Sequence, residues 1–453
     1  MSALGTVLIR GGRLIDPATH TDGRVNLLLR DGRVAWRGAE EPAADTVIDA
    51  SGRAVTPGFI DIHMHEDPLS ADGGIDCCIY DRMLHMGVTT AVGGNCGSNV
   101  CPPEEYLALA DRGIPVNAAL FAGHSSIRRR AGASDKYAPA TEEQKQTMER
   151  LTDEWLAAGC VGVSFGVRYV PGTDADELDR VAARCEREHR LIASHVRDDA
   201  AAVFGAIDEM VRVARRHDLP LQISHIGSMG GFGQMARVLE DTEALRAQGV
   251  DILLDCYPYD AFSTEIGATT YDDGWLERYG CGYEVLEFCS GPWKGQRADP
   301  ERFAWMRQHD PDALTVCHVM RPEEIRQALA HPLVMPASDG ILDQGQGHPR
   351  AAGTFPRFIS RYARTGALSL NEAVRKMTAM PAERLGFERK GSLAVGADAD
   401  IVIFDPDAVE DRATFAEPGL PPVGIDRVII GGETALLNGK LVNGRLGRAV
   451  RKA

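Results

Sequence analysis

The middle of the 453-residue chain alternates short apolar runs with helical patterns, and this alternation constrains the fold more than any other feature. The runs are rich in β-branched residues and have the length of buried strands. Eight of them are present, at 58–65, 88–93, 116–122, 161–167, 191–195, 219–225, 250–257 and 333–338. Eight buried strands alternating with helices predict an α/β fold with a parallel sheet closed into a (β/α)8 TIM-like barrel.

The interval between the seventh and eighth runs is much longer than the other intervals. It contains one further strand-like run, at 314–317. Because eight runs already account for the barrel, we interpret residues 264–330 as an insertion above it and 314–317 as part of that insertion.

The two ends of the chain differ from the middle. Residues 1–57 and 391–453 contain short alternating runs separated by Gly-rich turns, which is typical of a small β domain. Neither segment is large enough to bury a good core alone. We therefore expect the two ends to form one β-sandwich domain together, and residues 58–390 to form the barrel.

Composition excludes several classes of function. The chain has 49 Lys and Arg against 65 Asp and Glu, a net charge of −16, which disfavours a nucleic-acid partner. No apolar stretch approaches the ~20 residues of a membrane span, and residues 1–16 do not resemble a signal peptide. Ten cysteines are too few for a disulfide-built secreted domain. These features predict a cytoplasmic protein with no membrane partner.

Candidate metal ligands occur at the ends of the predicted barrel strands. His63 and His65 end the first run, His195 the fifth and His225 the sixth, and Asp339 follows the eighth. Side chains two apart on a strand share a face, and the carboxyl ends of barrel strands meet at one rim. Imidazole and carboxylate are ligands of hydrolytic zinc sites, which keep one position for water. One such residue can be accidental, but five at strand ends predict a metal centre.

Cys96 follows the second run, between Asn95 and Gly97, where the backbone must turn sharply. A coordinated thiol is deprotonated and can bind or bridge metal ions. We interpret the other nine cysteines as buried or inert thiols. Among them, Cys317 precedes His318 in the insertion, but this pair has no matching ligand at a strand end.

Longer motifs resemble those of a known family. The motifs are GFIDIHMHED, GNCG, SHVRDD, QISH, DCYPYDAFST, ASDG, HPRAAGTFPRFISRY and GSLAVGADADIVIFDP. Together they resemble the amidohydrolase superfamily, and within it the N-acyl-D-amino-acid deacylase (D-aminoacylase) branch. The resemblance covers almost the whole chain, and its most specific part is the Cys after the second strand together with HPRxxGTFPR. It implies a metal-dependent hydrolase that cleaves the amide of a small anionic substrate, an N-acyl-D-amino acid.

The resemblance also implies roles for the candidate ligands. It assigns a tightly bound zinc to three residues: Cys96, His195 and His225. It assigns a second, weaker metal position to four residues: His63, His65, Cys96 and Asp339. Asp339 is implied to be the general acid/base as well.

Substrate contacts follow from the same resemblance. Arg350, and less directly Tyr259 and Ser263, are implied to contact the substrate carboxylate. The branch commonly has a Lys shortly after the sixth-strand His, whereas this chain has Gly227 there and a shorter insertion than usual. Arg168, after the fourth strand, is a candidate for the missing cation, and a salt bridge at the rim is an equally good interpretation of it.

Two alternatives stay open. A cyclic-amide hydrolase of the same superfamily, such as a hydantoinase or dihydroorotase, uses a carbamylated Lys from the fourth strand, and the run at 161–167 contains no Lys. A non-catalytic metal-binding barrel is the second alternative, although all six ligand positions hold a competent residue. The sequence does not indicate the acyl group, the side chain, the number of metals or the oligomeric state.

Overall fold

The computed structural model describes residues 5–452, so residues 1–4 and 453, the outer ends of the two predicted sandwich segments, lie outside the described residues. Seven short strands precede the barrel. They are β1 (Val7–Arg10), β2 (Arg13–Asp16), β3 (Thr21–Arg24), β4 (Asn26–Arg30), β5 (Arg33–Gly38), β6 (Thr46–Asp49) and β7 (Ala54–Pro57). Tight turns separate them, and at the β4–β5 turn Gly32 has a φ of 73°, a left-handed conformation that favours glycine.

The barrel begins with eight parallel segments. They are β8 (Phe59–Asp61), β9 (Val88–Gly93), β10 (Asn117–Leu120), β11 (Ala122–Gly123), β12 (Gly162–Gly166), β13 (Leu191–His195), β14 (Leu221–Ile223) and β15 (Ile252–Cys256). β10 pairs with β9 and β11 with β12, so these two segments are halves of the third barrel strand. Between and beside the strands lie α1 (Cys78–His85), α2 (Pro103–Ala110), α3 (His124–Arg130), α4 (Glu142–Ala157), α5 (Ala175–Ala183), α6 (Val203–His217), α7 (Ile226–Gly230) and α8 (Met235–Ala247).

The segment after β15 forms a separate layer above the barrel. Its strands β16 (Phe262–Glu265), β17 (Leu286–Phe288) and β18 (Leu314–Cys317) make an antiparallel sheet, with helices α9 (Trp275–Tyr279) and α10 (Pro300–His309). β18 pairs with β16 and β17, whereas β15 pairs directly with β19 (Val334–Pro336). The run at 314–317 therefore lies outside the barrel sheet, as the sequence suggested.

The barrel ends where β19 returns to β8. The backbone N–H of Asp339 donates to the carbonyl of His63 at 2.8 Å, and Met64 and Gly340 form a parallel bridge. The remaining helices are α11 (Pro322–Ala330), before β19, and α12 (Arg350–Phe358), α13 (Leu370–Met377) and α14 (Ala379–Leu385), after it. No helix between residues 5 and 452 is long and apolar enough to cross a bilayer.

The sandwich combines both ends of the chain. After the hairpin β20 (Leu342–Asp343) and β21 (Gln346–Gly347), the last strands are β22 (Ile401–Phe404), β23 (Ile425–Ile430), β24 (Glu433–Leu437) and β25 (Lys440–Leu441). One sheet has the order β5-β4-β1-β6, and the other has the order β25-β24-β23-β22-β7-β2-β3. Because Val402 of β22 lies opposite Thr56 of β7, N- and C-terminal strands form one continuous sheet, and the predicted sandwich is confirmed.

The last residues depart from the predicted domain boundary. Gly447 forms a bridge with Ile114, Ala449 forms one with Ala118, and Val450 packs against the side chains that fill the barrel interior. Partial burial of Val450 against this apolar cluster favours the placement. Residues 447–452 thus lie against the barrel, although 391–453 was expected to belong to the sandwich.

Asp400 joins the two domains. Its Oδ2 accepts hydrogen bonds from Asn117 Nδ2 at 3.0 Å in the barrel and from Lys390 Nζ at 2.8 Å. Its Oδ1 accepts one from the backbone N–H of Gly431 at 2.9 Å in the sandwich. A buried carboxylate that satisfies three donors fixes the relative position of all three.

We expect Asp400→Ala to lower the free energy of unfolding by roughly 2 kcal/mol, because it leaves the Asn117 amide and the Gly431 N–H without this acceptor, whereas Lys390 keeps Asp398 at 3.3 Å. Urea denaturation measures this as a lower midpoint. The exposed Asp407→Ala is the matched control and should change stability by less than about 0.5 kcal/mol. Equal midpoints for the two variants would show that Asp400 does not join the domains.

Candidate metal centre

The six predicted ligands lie together at the carboxyl ends of the barrel strands. They are His63, His65, Cys96, His195, His225 and Asp339. They form two overlapping groups, and within each group the candidate ligand atoms all lie within 4.8 Å of one another. The first group is Cys96 with His195 and His225, and the second is Cys96 with His63, His65 and Asp339. These are the two sets that the resemblance implied.

Cys96 lies between the two groups. Its Sγ is 3.5 Å from Nε2 of His63 and 3.4 Å from Nε2 of His225. Asp339 Oδ1 is 3.4 Å from His63 Nε2 and 3.0 Å from His65 Nε2. The ring of His195 packs against that of His225 with the centroids 4.4 Å apart. The thiol is therefore the only member common to both groups, and it is placed to bridge them.

Backbone strain coincides with three of these residues. Cys96, His225 and Asp339 have φ values of 52°, 33° and 48°, in the left-handed region that non-glycine residues rarely adopt. Each such residue costs on the order of 1–3 kcal/mol and persists only where the surrounding structure enforces it. Here the conformation turns the chain sharply at the end of a strand, which keeps each side chain in the barrel mouth.

Electrostatics put three of the six donors in forms that bind metals. Burial raises the pKa of the Cys96 thiol, but the charges of His63 and His225 outweigh it and hold that pKa well below its ordinary value. Burial likewise opposes ionisation of Asp339, and Arg350 and His63 hold the pKa of this carboxyl well below its ordinary value. Burial and the charge of His225 lower the pKa of His195 to about 4. A thiolate, a carboxylate and a neutral imidazole are the ligand forms that metals require. Burial opposes the charged forms of His63 and His65, but Cys96 and Asp339 outweigh it and raise both pKa values, that of His65 to about 9, so these two rings bind a metal only after losing a proton.

Two residues that the sequence reasoning missed orient the histidines. Asp255, at the end of β15, accepts the backbone N–H of His225 at 2.7 Å, and its Oδ1 lies 3.4 Å from His63 Nδ1. Ser228 Oγ lies 3.0 Å from His225 Nδ1. With Nδ1 of each ring facing a protein group, Nε2 is directed to the ligand cluster, as in many metal sites. The sequence signal that could have identified Asp255 is a carboxylate inside the otherwise apolar strand Ile252–Cys256.

The donor set fits a zinc-like ion. Thiolate, imidazole and one carboxylate suit zinc, whereas magnesium and calcium prefer oxygen cages. Both ring nitrogens of His195 are buried and have no hydrogen-bond partner within residues 5–452. Buried polar atoms of a protein are normally paired, so an unpaired imidazole in this place is the expected signature of a metal ligand.

A cavity of about 430 Å³ opens above the cluster. Arg350, which is 1% exposed, lines it, with Nη1 2.8 Å from Asp339 Oδ2 and its guanidinium 4.6 Å from the ring centroid of Tyr257. Ser263 also lines the cavity, and its Oγ has no hydrogen-bond partner in the described part of the chain. The structure therefore brings two of the predicted substrate contacts, Arg350 and Ser263, into one space with the candidate ligands.

Tyr259 does not reach this cavity, and the expectation for it is corrected. Its hydroxyl donates to the carbonyl of Pro349 at 3.4 Å, and the guanidinium of Arg357 covers its ring at 4.5 Å. Tyr257 lines the cavity instead. The chain leaves the strand at Cys256, so residues 257 and 259 no longer share a face as they would on a continuing strand.

Arg168 does not replace the missing Lys. Its Nη1 lies 2.8 Å from Asp198 Oδ1, and its side chain is not part of the cavity wall. The salt-bridge interpretation is therefore the one that the structure supports. A side chain at Gly227 would be crowded, because a Cβ there would lie 2.9 Å from both Cys256 Sγ and Ile325 Cδ1, and these side chains would have to shift.

Comparison with known proteins gives the family. The model of the amidohydrolase family matches residues 46–279 and 133–435. The chain belongs to the amidohydrolase family. An N-acyl-D-glutamate deacylase and a D-aminoacylase of Alcaligenes xylosoxydans xylosoxydans are 34% and 33% identical to this amidohydrolase, over 94% of its chain and 92% and 93% of theirs.

Solved structures agree with the observed fold. The N-acyl-D-glutamate deacylase of Bordetella bronchiseptica, complexed with zinc and a phosphonate inhibitor, matches this amidohydrolase with a TM-score of 0.86 and 31% identity. That match covers 98% of this chain and 99% of the other. An L-hydantoinase from Arthrobacter aurescens shares the fold at a TM-score of 0.65 and 19% identity, over 99% of this chain and 100% of that chain.

We expect the purified amidohydrolase to contain a transition metal, and Cys96→Ala to lower its metal affinity more than about 100-fold, because the thiolate is the donor shared by both groups. Mass spectrometry of dialysed protein measures the bound metal. Cys185→Ala, a buried cysteine remote from the cluster, is the control and should keep the metal. Full metal content in the Cys96 variant would contradict the assignment.

Proposed function

We propose that this amidohydrolase removes the acyl group from N-acyl-D-amino acids. The observation that carries the proposal is the contact between Arg350 and Asp339, 2.8 Å apart on the wall of the cavity above the ligand cluster. This contact puts a cation that can bind a substrate carboxylate beside a carboxylate that can move a proton. The activity in the names of relatives about one third identical over 94% of the chain supports the same reaction.

Zinc is the metal that we propose. One ion would be held by Cys96, His195 and His225, and a second, weaker one by His63, His65, Cys96 and Asp339. When bound, zinc supplies a Lewis acid for the amide carbonyl and lowers the pKa of a water molecule to about 7.

Asp339 performs the proton transfers in this proposal. Its carboxylate is ionised because Arg350 and His63 favour the charged form, so Oδ1, on the side of the histidines, can accept the proton of the attacking water. It then delivers this proton to the amide nitrogen, since an amine leaves poorly without one. Asp339 therefore acts first as the base and then as the acid.

Three residues orient the substrate carboxylate. The guanidinium of Arg350 offers charge-assisted donors, and its Nε has no hydrogen-bond partner among residues 5–452. Ser263 offers its unpaired hydroxyl, and Tyr257 lines the same wall. Binding the carboxylate here holds the neighbouring amide over the ligand cluster, which lowers the entropic cost of reaction.

A cyclic-amide hydrolase is the second candidate function, because an L-hydantoinase shares the fold. The fourth barrel strand, Gly162–Gly166, carries no Lys that could be carbamylated. Cys96 lies between the two groups of ligands, where a bridging donor belongs. Both observations favour the deacylase.

A substrate screen on metal-quantified enzyme tests the proposal. N-acetyl-D-amino acids, their L-enantiomers, dipeptides, hydantoins and dihydroorotate are compared by kcat/KM. We expect the N-acetyl-D-amino acids to be hydrolysed fastest. Faster turnover of a cyclic amide would establish the second candidate function, and no turnover of any compound by zinc-loaded enzyme would favour a non-catalytic barrel.

The variant Asp339→Asn shows whether the activity measured in this screen arises in the cavity above the ligand cluster. It removes the proton carrier and is expected to lower kcat about 10³-fold. The tightly held metal should remain, since Asp339 is absent from the group of Cys96, His195 and His225. Asp343→Asn, exposed on the following hairpin, is the matched control and should keep wild-type kcat. Ordinary turnover by Asp339→Asn would refute its role.

Tyr257 and Tyr259 offer a second matched pair. We expect Tyr257→Phe to raise KM for N-acetyl-D-amino acids by about fivefold, because one net hydrogen bond contributes about 1 kcal/mol. Tyr259→Phe should leave KM within twofold, since its hydroxyl lies outside the cavity. Steady-state kinetics of the two variants measure the difference, and a larger effect at Tyr259 would contradict the placement of these side chains.

We also propose a cytoplasmic setting. All ten cysteines are free thiols, and free thiols persist in reducing compartments.

A further inference from the structure

Four cations line the cavity, and two of them have no ionic partner. Arg350 faces Asp339 at 2.8 Å, and Arg128 faces Glu177 at 3.0 Å. Arg129 and Lys136 also line the cavity, and no carboxylate of residues 5–452 lies within 4.0 Å of either charge. In a protein with a net charge of −16, two unpaired cations beside a substrate cavity call for an explanation.

Lys136 is held in a rigid loop. Residues 131–141 connect α3 to α4. The buried Arg128 donates to the carbonyls of Ala133 and Asp135, both at 2.9 Å, and to that of Ala138. The carbonyl of Lys136 itself accepts the N–H of Gly172 at 2.8 Å. The backbone is thus fixed on both sides of Lys136, unlike that of an ordinary surface lysine.

The anchor of this loop is itself fully buried. Glu177 Oε1 accepts Arg128 Nε at 3.0 Å and lies 2.7 Å from His124 Nε2, and all three side chains are at most 1% exposed. Buried ionic networks are expensive and hold their members in one arrangement. Because Arg129 is the next residue of the same helix, the network fixes the starting points of both unpaired cations. A preorganised cation binds an anion with a smaller loss of entropy.

Besides these four residues, no Lys or Arg of the described chain lines the cavity and could bind a second anionic group of the substrate. Gly227 supplies no charge, and Arg168 is paired with Asp198 outside the cavity wall. Glu265 and Asp312 are acidic residues near these two cations. Burial and Asp312 raise the pKa of Glu265, and His65, Arg129 and Lys136 lower it. Neither carboxylate lies within 4.0 Å of Arg129 or Lys136, so no direct ion pair neutralises either cation.

We propose that Arg129 and Lys136 form a subsite for a second carboxylate of the substrate. The inference rests on the proposed function: with one carboxylate at Arg350 and the amide above the metal ligands, the group that extends to the mouth is either the amino-acid side chain or the acyl group. The preferred substrates are therefore dianionic N-acyl amino acids, with the second carboxylate on one of these two groups.

Two pairs of substrates test the preference and identify the group that carries it. N-acetyl-D-glutamate is compared with N-acetyl-D-glutamine, and N-succinyl-D-alanine with N-butyryl-D-alanine. In one pair we expect kcat/KM of the dianion to exceed that of its monoanionic partner about tenfold at low salt. The ratio should fall as ionic strength rises, because salt screens charges near the surface.

The double variant Arg129→Gln/Lys136→Gln is expected to reduce this ratio to about one. Arg130→Gln is the matched control, since Arg130 is exposed on the same helix but outside the cavity wall, and it should keep the wild-type ratio. A wild-type ratio of one in both pairs, or a ratio that the double variant leaves unchanged, would overturn the subsite while the proposed function stands.

The result is different if the protein does not catalyse the proposed hydrolysis. If none of the four compounds is hydrolysed, calorimetry compares binding of the two compounds of each pair to the wild type and the double variant. Tighter binding of one dianion that the double variant loses would support the subsite without the reaction. Equal binding to the wild type within both pairs would overturn it.

Discussion

The burial of several ionisable donors in one barrel mouth is the constraint on which the rest of this structure depends. A buried charge without a partner costs several kcal/mol, so each donor here needs a compensating neighbour. Arg350 compensates Asp339, and Asp255 lies beside His63 and receives the backbone N–H of His225. These partners come from distant parts of the sequence, and only the closed barrel brings them together.

Asp61 shows how the barrel fixes its own closure at this point. This carboxyl is buried at the end of β8, and it accepts the backbone N–H of His63 at 3.2 Å and that of Ser338 at 3.0 Å. Burial raises the pKa of Asp61 to about 7, in contrast to Asp339 only one residue beyond Ser338. The same barrel mouth thus holds one carboxyl whose pKa is raised and which binds the backbone, and another whose pKa is lowered and which faces the cavity. The surroundings, and not the residue type, assign the two roles.

Strand ends are the part of the site that the sequence predicts well. An apolar run that finishes in a polar residue locates that residue at the barrel rim, which is why all six ligand candidates could be named. Beyond the strand ends alternation no longer applies, so Tyr259 was expected in the cavity and Tyr257 lies there instead. Arg350 and Ser263 were named from the longer motifs and not from alternation. The sequence also does not indicate which residue a charged side chain in a loop pairs with. Nothing in the sequence indicated that Arg168 would pair with Asp198, and no motif singled out Lys136.

The sandwich has a consequence for how this chain is made. β7 is completed early, and its neighbour β22 is synthesised only after the whole barrel. During that interval the edge of β7 that will bind β22 has unpaired backbone groups, and an exposed edge of this kind pairs readily with strands of other molecules. Contacts between residues so distant in sequence also form slowly. The order of synthesis therefore makes the unfinished sandwich the aggregation-prone stage of biogenesis, and it makes the last sixty or so residues the segment that ends this exposure.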